Sequence, residues 1–82
     1  MEKMLQENFR RNLRTAMQIR GLTQRECAHA AGMQHPGLNR ILNGLQSPSL
    51  ATCERLASVV GLSVEQLFAS ASVFDDSMAV TA

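Results

Sequence analysis

The fold of this chain is decided by one stretch of its sequence, Gly21-Leu22-Thr23-Gln24-Arg25-Glu26-Cys27-Ala28-His29-Ala30-Ala31-Gly32-Met33-Gln34-His35-Pro36-Gly37-Leu38-Asn39-Arg40-Ile41-Leu42-Asn43-Gly44. Thr23 can cap a helix start while Glu26, three residues on, bonds back to the threonine amide, which is the spacing of a capping box. Gly32 is suited to ending that helix because glycine adopts the left-handed conformation at little cost. A second short helix follows at once and ends at Asn43-Gly44.

Two helices joined by so short a connection must cross steeply, and the second is then left exposed at the surface. This arrangement is a helix-turn-helix, whose second helix fits the major groove of DNA. The stretch therefore predicts a DNA-binding motif in the second and third helices of the chain.

Apolar spacing predicts three further helices around this pair. The first runs roughly from Leu5 to Arg20, and the fourth is opened by Ser49 and stopped by Gly61. A second capping-box spacing, Ser63 with Gln66, starts a short fifth helix. The residues expected to be buried are Phe9, Leu13, Ala16 and Met17 in the first helix, Cys27, Ala28 and Ala31 in the second, Leu38, Ile41 and Leu42 in the third, Leu50, Cys53, Leu56, Ala57 and Val60 in the fourth, and Val64, Leu67 and Phe68 in the fifth.

Length and charge place limits on what the chain does. Its 82 residues suffice for one domain with a small core, and they are too few for an enzyme with a deep cleft. The net charge of +1 is unevenly distributed, since seven arginines outnumber three glutamates between residues 8 and 68, a balance of +4. The basic charge is nearly all arginine, which suits phosphate geometry. It forms either a solvated arginine face or a surface for an anionic partner.

Several other functions are not expected from the residue pattern. Cys27 and Cys53 lie on apolar helix faces and are predicted to be small core residues and not a disulfide. The most apolar stretch, Leu56 to Leu62, is too short to span a bilayer, and there is no signal-peptide pattern. We expect a cytoplasmic protein with no membrane partner. We also expect no catalytic residue, metal site or cofactor, because no nucleophile has a base partner and no residues have metal-ligand spacing.

A set of marks occurs along the chain in a specific order: Phe9 with Leu13 and Arg14, then Gly21-Leu22-Thr23-Gln24, Ala28, Gly32, Leu38-Asn39-Arg40-Ile41-Leu42-Asn43-Gly44, Pro48-Ser49-Leu50, and Leu56-Ala57 followed by Gly61-Leu62-Ser63. In this order the chain resembles the lambda-repressor-like, or Xre-type, family of helix-turn-helix DNA-binding domains, from about Phe9 to Phe68. The resemblance implies an all-α, five-helix domain that binds operator DNA as a homodimer and regulates transcription. We expect residues 1–68 to form this domain, and we expect a repressor of bacterial or phage origin.

The chain departs from the family at two places. Many relatives pair an arginine at the Met17 position with a glutamate at the Leu42 position, whereas both are apolar here. Replacing a buried ion pair by well-packed apolar residues is often neutral or stabilising, so we expect the same fold. The second departure is His35-Pro36-Gly37, where relatives often carry hydroxyl or amide side chains. This difference bears on which operator is bound.

The third helix is expected to carry the base contacts, because its apolar face turns inward and its polar face outward. Arg40 can make a bidentate contact to guanine, or else lie in solvent or on a phosphate. Gln34 and Asn39 can contact adenine in bidentate fashion. His35 would either contact DNA or simply occupy the helix start without a DNA contact. Pro36 offers an apolar edge to a thymine methyl. The predicted base-contacting set is Gln34, His35, Pro36, Asn39 and Arg40.

A second set is expected to bind the DNA backbone. Gln24 resembles the family's phosphate-contacting glutamine, since it stands at a helix start where free amides and the helix dipole favour an anion. Asn43 and the loop after it would hold the backbone on the other side, and some of the arginines would add contacts. The predicted backbone set is Gln24, Arg25, Asn43, Gln46, Ser47, Arg10, Arg14 and Arg20.

Residues 69–82 form a tail that is both acidic and apolar, and it leaves a second function open. One interpretation is a frayed terminus. Another is a dimer contact made by Leu67, Phe68, Val73 and Phe74. A third is a segment that binds and neutralises a partner protein, as in an antitoxin that also regulates its own promoter.

Overall fold

A computed structural model describes residues 2–70, apart from the side chains of Glu2 and Lys3. Five helices follow one another: α1 (Glu2–Arg20), α2 (Gln24–Ala30), α3 (His35–Leu42), α4 (Leu50–Val60) and α5 (Val64–Phe68). There is no strand in this part of the chain, and the predicted all-α fold is confirmed. α1 begins one turn earlier than predicted, because its first residues carry no apolar stripe that periodicity could detect. The interpretations of the tail that involve Val73 and Phe74 lie outside the described residues.

The predicted signals at both ends of α2 are present. The Thr23 hydroxyl accepts the Glu26 amide at 3.0 Å, and the Thr23 amide donates to Glu26 Oε1 at 2.9 Å, which completes the capping box. At the other end Gly32 has a φ of +69°. The amides of Gly32 and Met33 donate to the carbonyls of His29 and Ala28, the pattern of a Schellman motif. α2 is therefore fixed at each end by local sequence, and the turn leads directly into α3.

The core is formed by the predicted apolar faces of all five helices. α1 packs against α5, α4 and α3, while α2 packs against α3 and α4. Met17 and Leu42 are both buried, so the positions where relatives carry an ion pair belong to the apolar core here. The buried apolar residues are Phe9, Leu13, Ala16, Met17, Cys27, Ala28, Ala31, Leu38, Ile41, Leu42, Cys53, Leu56, Ala57, Val60 and Leu67.

The prediction that Leu50 belongs to the core was wrong. Leu50 is 68% exposed. It is the first residue of α4, directly after the Ser49 cap, and the helix stripe is covered only from Cys53 onward. Val64 and Phe68 are half-buried and pack against the edge of the core. Both cysteines are buried free thiols, as predicted, and burial raises the pKa of each.

Asn12 is a buried polar residue that the apolar pattern did not reveal. Its side chain is 1% exposed, and its Nδ2 donates to the carbonyls of Gln66, Leu67 and Ala69 at 3.2, 2.9 and 2.7 Å. Carbonyls at the end of a helix lack partners within that helix. Asn12 therefore caps the C-terminal end of α5 from α1 and ties the last helix to the first. Across residues 2–70, no helix combines the length and the apolar character that a bilayer crossing requires.

Candidate nucleic-acid interface

The third helix presents one apolar and one polar face. Leu38, Ile41 and Leu42 are at most 2% exposed and hold α3 against the core. On the opposite side, residues that the sequence placed outward are exposed, and His35 at the helix start is half-buried. Pro36 occupies the first turn, where its missing amide hydrogen costs no helical bond. The exposed side chains of this face, with the cap residue, are Gln34, Pro36, Asn39, Arg40 and Asn43.

Four polar side chains are connected by hydrogen bonds along this face. Asn39 Nδ2 donates to Gln24 Oε1 at 3.1 Å, and Asn43 Nδ2 donates to Asn39 Oδ1 at 3.1 Å. Arg14 Nη2 donates to Asn43 Oδ1 at 3.3 Å and to the Leu42 carbonyl at 2.8 Å. Residues from α1, α2 and the α3 face thus form one chain of bonds, which we call the amide chain (Arg14, Asn43, Asn39 and Gln24).

A second pair of bonds holds the loop after α3. Arg40 Nε donates to Gln46 Oε1 at 3.2 Å, so the loop lies against the last turn of α3. Gln6 Nε2 donates to the Ser47 hydroxyl at 3.0 Å and ties the same loop to α1. Sequence reasoning missed Gln6, and no local pattern could have found it, since its role depends on which loop lies beside α1. Among the described residues, no acceptor engages the two terminal nitrogens of Arg40.

The remaining predicted backbone contacts are not all in one place. Arg10 lies over Gly44 at the end of α3, with its guanidinium carbon 3.3 Å from the position that a Cβ there would take. Arg25 is exposed one residue after Gln24, at the start of α2. Arg20 lies instead against Gly61 at the end of α4. The structure therefore groups Arg10, Arg14 and Arg25 with α2 and α3, and it places Arg20 with α4.

Two of the predicted dimer contacts, Leu67 and Phe68, lie within the described residues. Leu67 is 0% exposed in the single chain, where it packs into the core, and its role as a dimer contact stays a prediction. Phe68 is half-buried, and its ring lies 5.0 Å from that of Phe9 between centroids. Phe68 also lines a groove of about 170 Å³ together with Ile41 and Pro48. Only Phe68 of the predicted dimer set lies within the described residues and reaches the surface.

Comparison with known proteins places the chain in a family. Residues 8–69 match the family described as a helix-turn-helix domain. Two curated relatives are the HTH-type transcriptional regulator PuuR of Escherichia coli (strain K12) and that of Shigella flexneri, each 32% identical over 63 residues, which are 77% of this chain and 34% of the relative. The chain thus spans about a third of the length of these relatives, and no solved structure gave a significant match. Since the match runs from within α1 past the end of α5, the chain belongs to the helix-turn-helix domain family.

Proposed function

We propose that this chain is a sequence-specific DNA-binding domain that regulates transcription, with α3 in the major groove of a duplex. The observation that carries the proposal is the amide chain, because it holds polar side chains in fixed positions on an exposed helix face. Both curated relatives are transcriptional regulators by name, which favours the same class of function here.

Base contacts are assigned to the exposed side of α3. The two terminal nitrogens of Arg40 form the fork that bonds to guanine O6 and N7. The Asn39 amide uses one N–H and one oxygen lone pair within the amide chain, so it retains one donor and one acceptor. Adenine offers the complementary acceptor and donor, N7 and the N6 amino group. Gln34, His35 and Pro36 complete the proposed set at the start of the helix, the end that usually meets base edges.

Backbone contacts are assigned to the residues that flank α3. Gln24 is the first residue of α2, where the free amides of the first turn favour an anion. Its Oε1 accepts from Asn39, so its Nε2 is the group left to donate to a phosphate oxygen. On the far side, Asn43 and the loop residues held by Arg40 and Gln6 would meet the other strand. The further candidates beside α3 are Arg10, Arg25, Gln46 and Ser47.

A homodimeric repressor is the form of regulator that we propose. Two copies related by a two-fold axis would place their α3 helices about 34 Å apart and meet successive major grooves. A dimer seated on a promoter in this way would exclude other proteins from that DNA. The proposal requires an operator with two related half-sites in inverted order.

Selection of bound duplexes from a random DNA pool tests the proposed function. We expect recovered sequences to share a two-fold symmetric site, and fluorescence anisotropy to show binding at least about a thousandfold tighter than to a scrambled duplex. Affinity should fall steeply with salt, each phosphate contact adding about −0.9 to the slope of log K against log salt concentration. Equal affinity for the selected and scrambled duplexes would reject sequence-specific binding.

A further inference from the structure

We propose that Arg14 is a positioning residue, which sets the orientation of three side-chain amides on α3 and α2 and so presents the Gln24 NH2 group for binding an acceptor. The inference concerns how the DNA-binding surface is built, and its consequence for DNA rests on the proposed function. It assigns Arg14 a role different from the direct phosphate contact that the sequence suggested.

The argument starts from the guanidinium group, which can only donate hydrogen bonds. Arg14 Nη2 lies 2.8 Å from the Leu42 carbonyl and 3.3 Å from Asn43 Oδ1, and both are acceptors. The Leu42 carbonyl belongs to the last residue of α3, so it has no partner within the helix. That bond fixes the guanidinium at the end of α3, next to Asn43.

The orientation of the first amide determines that of the next two. An amide carries its oxygen and its NH2 group on the same carbon, so turning the Asn43 oxygen toward Arg14 turns its NH2 group away. That NH2 group donates to Asn39 Oδ1, and the Asn39 NH2 group in turn donates to Gln24 Oε1. Reversing any one of the three amides would place N–H against N–H or oxygen against oxygen at the contacts it makes. The donor-only group at one end therefore selects a single direction for the whole amide chain.

The consequence appears at Gln24, which ends the amide chain. Because its oxygen accepts from Asn39, Gln24 presents its NH2 group at the start of α2. Phosphate oxygens only accept, so this orientation favours a phosphate, whereas the reversed amide would present an oxygen and repel it. Arg14 thus acts on the ligand through Asn43, Asn39 and Gln24, while its own Nη2 is bonded at the end of α3.

The matched variants are Arg14→Met and Arg11→Met. Each removes one guanidinium from an exposed position of α1 and leaves an apolar side chain of similar length. Arg11 lies outside the amide chain and donates only to Asn8, three residues before it, among the described residues. A difference between the two variants therefore reflects the disruption of the amide chain and not the loss of one positive charge.

The direct test needs no DNA. In 15N-labelled protein we expect Arg14→Met to shift the side-chain NH2 resonances of Asn43, Asn39 and Gln24, and Arg11→Met to leave all three in place. Asn43→Asp provides a second test that keeps Arg14 bound, since a carboxylate still accepts from Arg14 and cannot donate to Asn39. We expect the Gln24 NH2 resonances to shift in that variant too. Unchanged Gln24 resonances in both variants would overturn the proposal.

Measurements of DNA affinity decide whether the orientation of the Gln24 amide affects DNA binding. With the duplex recovered from the random pool, we expect Arg14→Met to bind about tenfold more weakly than Arg11→Met, the scale of one lost hydrogen bond, with the salt slope of the wild type. A slope reduced by about 0.9 would instead make Arg14 a direct phosphate contact and overturn its positioning role. If the wild type shows no preference for that duplex, the proposed function fails, and the resonances of Gln24 still decide the role of Arg14.

Discussion

The side chains of Asn39 and Gln24 are joined by a hydrogen bond of 3.1 Å, from Nδ2 of the first to Oε1 of the second. Asn39 lies on the exposed face of α3, and Gln24 is the first residue of α2. The proposed base contact, Asn39, and the proposed phosphate contact, Gln24, therefore hold each other in position through this hydrogen bond. A duplex that binds one of them meets the other already in position.

This relationship predicts that the two residues are coupled in DNA binding. We expect Gln24→Ala and Asn39→Ala each to weaken binding of the selected duplex, and the double variant to lose less than the two single losses together. The reason is that removing either side chain already frees the other to rotate. A double-mutant cycle by fluorescence anisotropy measures the coupling. Strictly additive losses would mean that the two side chains act independently on DNA.

A second prediction concerns Asn12, which caps the end of α5. We expect Asn12→Ala to lower the free energy of unfolding by about 2 kcal/mol, because it leaves carbonyls at that helix end without a donor. Asn12→Leu restores the volume without the donor and should not recover the loss. Asn8→Ala is the matched control, since Asn8 is half-buried and donates to only one carbonyl of α5, that of Phe68 at 3.3 Å, while its oxygen accepts from Arg11. Urea denaturation measures all three, and a Leu variant as stable as the wild type would contradict the account.

A third prediction is that replacing two nearby glycines, Gly32 after α2 and Gly37 in α3, changes stability in opposite directions. Gly37 has an ordinary helical conformation, and a Cβ there would lie 3.6 Å from Met33 Cε, a normal contact. Gly37→Ala should therefore stabilise α3 by about 0.5 to 1 kcal/mol. Gly32 has a φ of +69° with open space around it, so Gly32→Ala should cost about 1 kcal/mol through backbone strain alone. Thermal denaturation tests both signs, and a destabilised Gly37→Ala would show that its small size is needed for packing.

A fourth prediction concerns acid stability. Hydrogen bonds from the Thr23 amide and hydroxyl hold the pKa of Glu26 below its ordinary value of 4.5. A carboxyl group whose pKa is lower in the folded chain adds stability that is complete above the unfolded pKa and is lost as pH falls through the folded pKa. We expect the free energy of unfolding to decrease as pH drops below about 4.5 for this reason.

Glu26→Gln separates this effect from helix capping. Glutamine keeps the capping box, as Gln66 does with Ser63 in α5, and it carries no titrating group. The variant should lose less stability than the wild type between about pH 7 and about pH 3. Urea denaturation at both pH values provides the comparison. Equal losses would show that other carboxyl groups account for the acid sensitivity.

Much of the fold could be predicted from local sequence. The capping pairs, the helix-ending glycine at position 32 and the apolar spacing each act over a few residues, so they are visible without knowledge of tertiary structure. Leu50 was misplaced because periodicity shows which side of a helix is apolar, but not how far along the helix that side is covered. Asn12 lies three residues after Phe9, at the edge of the apolar face of α1 beside Ala16, and that position was the one signal that could have revealed it.

The candidate site could be predicted as a set of residues but not as an arrangement. Helical spacing places Asn39 and Asn43 outward on α3. The bonds that connect them to Gln24 and Arg14 depend on how α1 and α2 lie against α3, which no local pattern contains. For the same reason, the bond from Arg14 Nη2 to the Leu42 carbonyl at the end of α3 could not be predicted from the sequence.

The central claim is that the exposed face of α3 recognises a DNA sequence, and the most direct measurement compares Arg40→Met with Arg55→Met. Both remove one exposed arginine, and Arg55 lies on α4, outside the proposed interface. Dissociation constants are measured by anisotropy for the selected duplex and for a scrambled duplex. We predict that Arg40→Met loses about tenfold or more on the selected duplex alone, and that Arg55→Met leaves the preference unchanged. Equal effects of the two variants on both duplexes would contradict the claim.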